Sequence, residues 1–272
     1  MRIFSIKFNQ LAFFLLLALF TSQANAKTEK LNPCLEKATT PLAKMECFRG
    51  FPYRIDGALD ENGRWTTWAD QNKEFTSAGL NCSGLTTAIS RSIWGQTPPL
   101  STLMHDRLDD SGPEAPMGED WDFGIDLILN LTEDLPRRLI PNPYENKNVD
   151  SALWNALDLR GVDVNSPDFP KMLAEIQPEN IYYFVISKPD GRFKGGISFY
   201  HVGLILKEDT NIWMYHATAK GGVYRVNLAG DQGLAWFRRY YGASSKGPRY
   251  IQLIEVPLTT SVNINKTGKN SE

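Results

Sequence analysis

The sequence predicts an α+β fold, with a helix-bearing N-terminal part followed by an antiparallel sheet. Two observations carry this. From Ser83 onward, Leu85, Ala88, Ile89, Ile93 and Trp94 recur at spacings of three and four. That is the period of a helix with one buried face, and Gly95 is a natural stop for it. After Pro178 the chain changes to short β-branched or aromatic runs bounded by Gly, Asp, Asn or Pro: NIYYFVIS, ISFYHVGLIL, NIWMYHAT, GVYRVNL and RYIQLIEVPL.

At the N-terminus, Arg2 and Lys7 precede an apolar run from Leu11 to Phe20 and then Ala24-Asn25-Ala26. This is the pattern of a secretory signal peptide over residues 1–26, cut near Ala26. The apolar run is shorter than the roughly 20 residues a membrane span needs, and no second long run follows. The expectation is a periplasmic or secreted protein without stable membrane insertion. Residues 27–258 would form one domain and 259–272 a flexible tail. The chain carries 29 basic and 31 acidic residues, and setting aside Arg2 and Lys7 leaves a net charge near −4. Nucleic acid, which calls for a basic face, is not an expected partner.

Residues 27–50 read as a short polar helical pair containing Cys34 and Cys47. In an oxidising compartment these two either bridge, stapling the mature N-terminus, or stay as separate buried thiols. Residues 51–80 mix aromatics with turn residues and show no sustained period, which predicts an irregular surface segment. Residues 96–178 are rich in proline and acid between short helical patches. They form an insertion, either an inserted subdomain or a lid over a cleft. GLAWFRRYYG, between the last two strands, is a helix or a turn. Neither a phosphate-binding glycine loop nor a metal-ligand spacing is present, so no metal and no cofactor are expected.

Chemistry centres on NCSG, where Cys82 heads the predicted helix and stands outside the Cys34/Cys47 pair. A thiolate is the nucleophilic form, and the partial positive charge and free N–H groups of a helix start favour it. The same N–H groups suit an oxyanion. His201 stands in an apolar strand, SFYHVGLIL, and His216 in the next, IWMYHAT, across the turn KEDTN. Adjacent antiparallel strands bring two such side chains together when the register agrees, which gives a Cys-His-polar triad. Asp56 and Asp60 are either contacts for a substrate amine or ordinary turn acids, and His105, amid charge, reads as a surface residue.

These segments resemble the NlpC-type family of bacterial cell-wall peptidases, papain-like cysteine enzymes with motifs running PYxxGG, DCSGLV, HVGIYL and IHA. Here they stand in the same order as PYRIDG, NCSGLT, HVGLIL and YHAT, followed by GGV. The resemblance implies a papain-like α+β domain in which the helix carrying the nucleophile packs on the C-terminal sheet. It implies Cys82 as nucleophile, His201 as general base and acid, and His216 as the residue orienting the imidazole. Tyr53 and Ser83 would contact substrate or the oxyanion; for Tyr53, packing within a loop is the alternative. Gly84 would leave room beside the sulfur. Asn81 stands where the family has aspartate, QPENIYYFV replaces a Gly-Asp before the strand, and 119 residues separate Cys82 from His201, which the insertion accounts for.

The implied activity is hydrolysis of amide bonds in peptidoglycan stem peptides, without a metal, by an exported enzyme whose protein regulator, if any, is unknown. The same triad would serve an N-acetylmuramoyl-L-alanine amidase or an acyl transferase. A different class is a non-catalytic cell-wall binding or assembly protein that keeps the fold. The intact Cys, His and His favour the enzyme.

Overall fold

The computed structural model describes residues 33–96, 98–108, 124–144, 157–192, 196–242 and 247–259. The signal peptide expected over residues 1–26, most of the expected tail and parts of the expected insertion lie outside the described residues. The fold is α+β. A seven-stranded sheet comprises β3 (Arg138–Ile140), β4 (Val162–Asp163), β5 (Asn180–Pro189), β6 (Ile197–Glu208), β7 (Asn211–Thr218), β8 (Gly222–Asn227) and β9 (Tyr250–Pro257). Its order is β3-β9-β5-β6-β7-β8, with β4 also on β9, and every ladder is antiparallel. The helices are α1 (Pro41–Glu46), α2 (Cys82–Trp94), α3 (Leu100–Leu103), α4 (Ile125–Leu131), α5 (Asp168–Ala174) and α6 (Gly230–Phe237). Among the described residues no helix is long and apolar enough to cross a membrane.

Strand β5 explains why NIYYFVIS is a continuous apolar run. Ile181, Tyr183 and Val185 enter one core, with α2 and α4, while Tyr182, Phe184 and Ile186 enter a second, with α5 and α6. A strand covered on both faces has no polar side to alternate with. Each such buried side chain contributes about 1.5–3 kcal/mol.

Three expectations are corrected. Residues 51–80 are not an irregular surface segment: β1 (Gly57–Leu59) and β2 (Trp65–Thr67) form an antiparallel hairpin, and Phe51, Ala58, Trp65 and Trp68 are buried. Strands of three residues are too short to display alternation. Helix α2 does not have a single buried face, because every residue from Cys82 to Ser90 is buried. The hairpin and the sheet cover it from different sides, and small residues at Ser83, Gly84, Thr86, Thr87 and Ser90 allow that. The described part of the insertion is neither a separate subdomain nor a lid. Its strands β3 and β4 extend the sheet along β9, α4 joins the first core and α5 the second. Arg138 clasps Glu255 at that edge through Nε (2.9 Å) and Nη2 (3.0 Å).

Cys34 and Cys47 are joined by a disulfide, S–S 1.97 Å and Cα–Cα 5.7 Å.

Candidate active site

The start of α2 is fixed by Asn81. Its backbone is extended, its Oδ1 accepts a hydrogen bond from Gly84 N at 2.7 Å, and its own N–H donates to Gly57 O at 3.0 Å. Asparagine caps a helix as well as aspartate does. It does so here without placing a formal negative charge beside the thiol of Cys82, the first residue of the helix. At the other end, the Ser90 hydroxyl bonds the Tyr183 hydroxyl and Trp94 Nε1 donates to Tyr183 Oη at 2.9 Å, pinning α2 to β5.

Gly84 has a different role from the one expected. A Cβ there would lie 2.1 Å from Gly57 O, so its missing side chain admits the hairpin backbone against the helix and does not open space beside the sulfur. The segment before the hairpin runs alongside Leu80: Leu80 N donates to Pro52 O (3.1 Å) and Arg54 N to Leu80 O (3.3 Å). Tyr53 is thereby placed next to the approach to Cys82, and it lines the same cavity.

On the sheet, the β5–β6 register runs Ile186↔His201 and then Ser187↔Phe199, which leaves Tyr200 as an extra residue in β6. Bulges of this kind re-aim side chains. The inward parity of Phe199 passes to Val202, and both Tyr200 and His201 reach the cavity. Counting outward from the Leu204↔Tyr215 pair, His201 and His216 are diagonal neighbours, and His201 Nε2 lies 3.0 Å from His216 Nδ1. The Tyr241 hydroxyl lies 2.9 Å from the same Nδ1.

Aromatic rings enclose the pair. Tyr241 stacks on His201 at 5.4 Å and 24°, while Tyr224 and Trp236 approach His216 at 4.3 and 5.9 Å between ring centroids. Burial pushes His201 down to about 4. Burial, and then the neighbouring His201, hold His216 well below the usual imidazole range. Both rings are therefore neutral at pH 7.

Cys82 and His201 open on one cavity of about 700 Å³ where the two cores meet, together with Tyr53, Tyr200, Tyr224 and Tyr241. Trp236 and Tyr240, stacked at 4.4 Å, and Lys220 complete its wall. Lys220 is the only Lys, Arg, Asp or Glu among the described lining residues.

Of the residues expected from the sequence, Cys82, His201 and Tyr53 line this cavity, and His216 stands behind His201 in contact with it. Ser83 is corrected. It is fully buried, does not line the cavity, and its hydroxyl has no hydrogen-bond partner among the described residues. Successive helical side chains point about 100° apart, so with Cys82 at the cavity Ser83 turns into the core. Asp56 and Asp60 also lie off the cavity. Asp56 accepts from Ala69 N at 2.8 Å, and Asp60 binds Arg64 Nε at 2.7 Å within the hairpin turn. His105 is exposed.

Tyr200, Lys220, Tyr224, Trp236, Tyr240 and Tyr241 were not singled out from the sequence. For Trp236, Tyr240 and Tyr241 the one signal is the aromatic density of AWFRRYYG after the histidine strands; Tyr200, Lys220 and Tyr224 carry none. Among the described residues no group of three or more His, Cys, Asp or Glu side chains is arranged to hold a metal ion. No protein-family model, curated protein or solved structure matches the chain.

Proposed function

We propose that this chain is an exported cysteine hydrolase of papain-like architecture that cleaves amide bonds in the peptide stems of peptidoglycan. The observation that carries the reading is a buried thiol at a capped helix start opening on the same cavity as an imidazole whose far nitrogen is held by a second imidazole. The resemblance of the PYRIDG, NCSGLT, HVGLIL and YHAT segments supports the substrate class. Lys220 at the wall suits the carboxylates that stem peptides carry, and the surrounding aromatic rings suit their apolar parts.

In the reaction, His201 Nδ1 takes the thiol proton of Cys82 while Nε2–H stays bonded to His216. The thiolate adds to the carbonyl carbon, and helix-start N–H groups, with Tyr53 beside them, receive the oxyanion. Collapse breaks the C–N bond as His201 returns the proton to the leaving amine. Water, deprotonated by His201, then attacks the thioester, which releases the acid and restores the thiol. Neutral His216 accepts from His201 throughout and need not change protonation.

Digestion of purified peptidoglycan followed by mass spectrometry of the fragments tests this. Wild type should release peptides cut within the stem, and Cys82→Ala should lose at least about 10³-fold of that activity, the scale on which deleting a nucleophile acts. Equal digestion by the variant would remove the mechanism. Intact stems freed from sugar would instead identify an N-acetylmuramoyl-L-alanine amidase.

A further inference from the structure

Lys220 gives the cavity wall a positive charge, and among the described lining residues no Asp or Glu offsets it. Lys220 is exposed, and among the described residues it makes no ion pair or hydrogen bond, whereas Arg225 on β8 is bound to Glu46. Its backbone is nevertheless fixed. Thr218 of β7 pairs with Gly222 of β8, so Ala219, Lys220 and Gly221 alone form the turn. Gly221 N donates to Thr218 O and to Thr218 Oγ1, each at 3.2 Å. Gly222 has a φ of +63°, and a Cβ there would lie 2.4 Å from Phe51 O, so the segment before Tyr53 packs directly on the turn. The ammonium therefore swings on a short tether whose root is fixed four residues after His216.

More cations flank Tyr200, which lines the same cavity. The Arg249 guanidinium and Lys188 Nζ lie 5.8 and 5.6 Å from its ring centroid. The acid beside them, Asp190, is shared between Lys188 at 3.7 Å and Arg192 at 2.9 Å, so the cluster stays net positive. The chain as a whole carries more acidic than basic residues, 31 against 29, which makes the positive cavity a local feature. A cleft walled by low-dielectric rings focuses such a potential. Tyrosine hydroxyls both donate and accept, so they follow the sign that the cations set.

We propose that Lys220 is a specificity-determining residue: it binds a carboxylate of the substrate in the cavity that holds the Cys82 thiol, so the peptide cut there carries a free carboxylate next to the scissile amide, and the amidated form is cut poorly. The carboxylate subsite follows from the charge of the cavity; that its occupant is a peptide being cleaved rests on the hydrolase reading.

Cys82 is the thiol left free by the Cys34–Cys47 bridge, so alkylation reports on it alone. Iodoacetate and iodoacetamide differ by one carboxylate, and the ratio of their rates measures the preference of the cavity for an anion. In wild type the ratio should exceed that of the neutral model thiol N-acetylcysteine amide at the same pH, and it should fall as salt is added. Lys220→Met should lower it about fivefold, the scale of one exposed ion pair, Lys220→Glu should lower it further, and Lys220→Arg should hold it near wild type. A ratio unchanged in both Lys220→Met and Lys220→Glu overturns the proposal, as does a wild-type ratio no greater than that of the model thiol. Should the variants fail to fold, the wild-type ratio and its salt dependence decide. Peptidoglycan whose stem carboxylates have been converted to amides should be digested more slowly than native material by wild type, and equal digestion of the two overturns the substrate preference. Failed ratios from a protein that still digests peptidoglycan remove this inference and leave the hydrolase reading. The expected ratios from a protein that digests nothing keep the subsite and remove that reading.

Discussion

His201 is the residue on which burial and chemistry meet. Desolvation that takes its imidazole down to about 4, from 6.5 in the unfolded chain, keeps it a neutral base across the physiological range. The same shift has a stability consequence. Between those two values the unfolded chain binds a proton that the native state refuses, so the contribution of His201 is fully present above pH 6.5 and is lost as pH falls through about 4. At the bottom of the window it amounts to about 3 kcal/mol. Asp126 acts in the opposite sense. Burial raises it to about 7, so its stabilisation is complete at low pH and lost as pH rises through about 7. A single profile therefore mixes the two, and a difference isolates the histidine. Urea unfolding of wild type and His201→Gln at pH 7.5 and pH 4.5 should show wild type losing at least 1–2 kcal/mol more than the variant over that interval. Parallel losses would mean the imidazole is not desolvated in the folded protein.

Helix α2 and the β1–β2 hairpin meet backbone to backbone, and Gly84 is where they touch. An added Cβ would sit 2.1 Å from Gly57 O and 3.0 Å from Ala58 Cα, and a main chain cannot rotate out of the way as a side chain can. Alanine is favoured over glycine inside a helix by about 1 kcal/mol, yet Gly84→Ala should lower stability by about 1–3 kcal/mol, because overpacking outweighs propensity. A raised melting temperature in that variant would refute the contact. Legibility at this scale follows length and burial. Strands β5 to β9 could be read from the chain because each is six residues or longer and β-branched or aromatic throughout. The hairpin, β3 and β4 could not: two or three residues carry no period, and their places depend on partners far away in sequence, β9 above all. Cys82, His201 and His216 could be read because each sits in a short motif. Tyr241 could not, because it follows α6 in an irregular helical turn, and its distance from His216 is a property of the fold alone.

Over the whole molecule, the segment that opens the described chain is tied to the elements that build the cavity. Glu46 on α1 binds the Tyr215 hydroxyl on β7 and Arg225 Nη1 on β8 at 2.7 Å, and Lys44 Nζ donates to Ser92 O on α2 at 2.6 Å. Backbone bonds Gly50 N to Val223 O (2.7 Å) and Val223 N to Phe51 O (2.9 Å) lay the chain along β8 just before Tyr53. The Cys34–Cys47 bridge therefore restrains a segment that leads directly into the site. It closes a loop of sequence separation 13, for which chain entropy gives about 3 kcal/mol. Replacing both cysteines by serine should lower the melting temperature by roughly 6–12 °C for a domain of this size. On the proposed hydrolase reading, and because α1 keeps its polar ties to β7, β8 and α2, digestion of peptidoglycan at 25 °C should remain close to wild type while the heat tolerance of that activity falls. Scanning calorimetry of the double serine variant checks the first expectation, and an unchanged melting temperature would mean that packing alone holds this segment in the unbridged chain. Loss of digestion at 25 °C with the fold intact would show that the bridge shapes the cavity itself, through Tyr53, and does more than hold the segment closed.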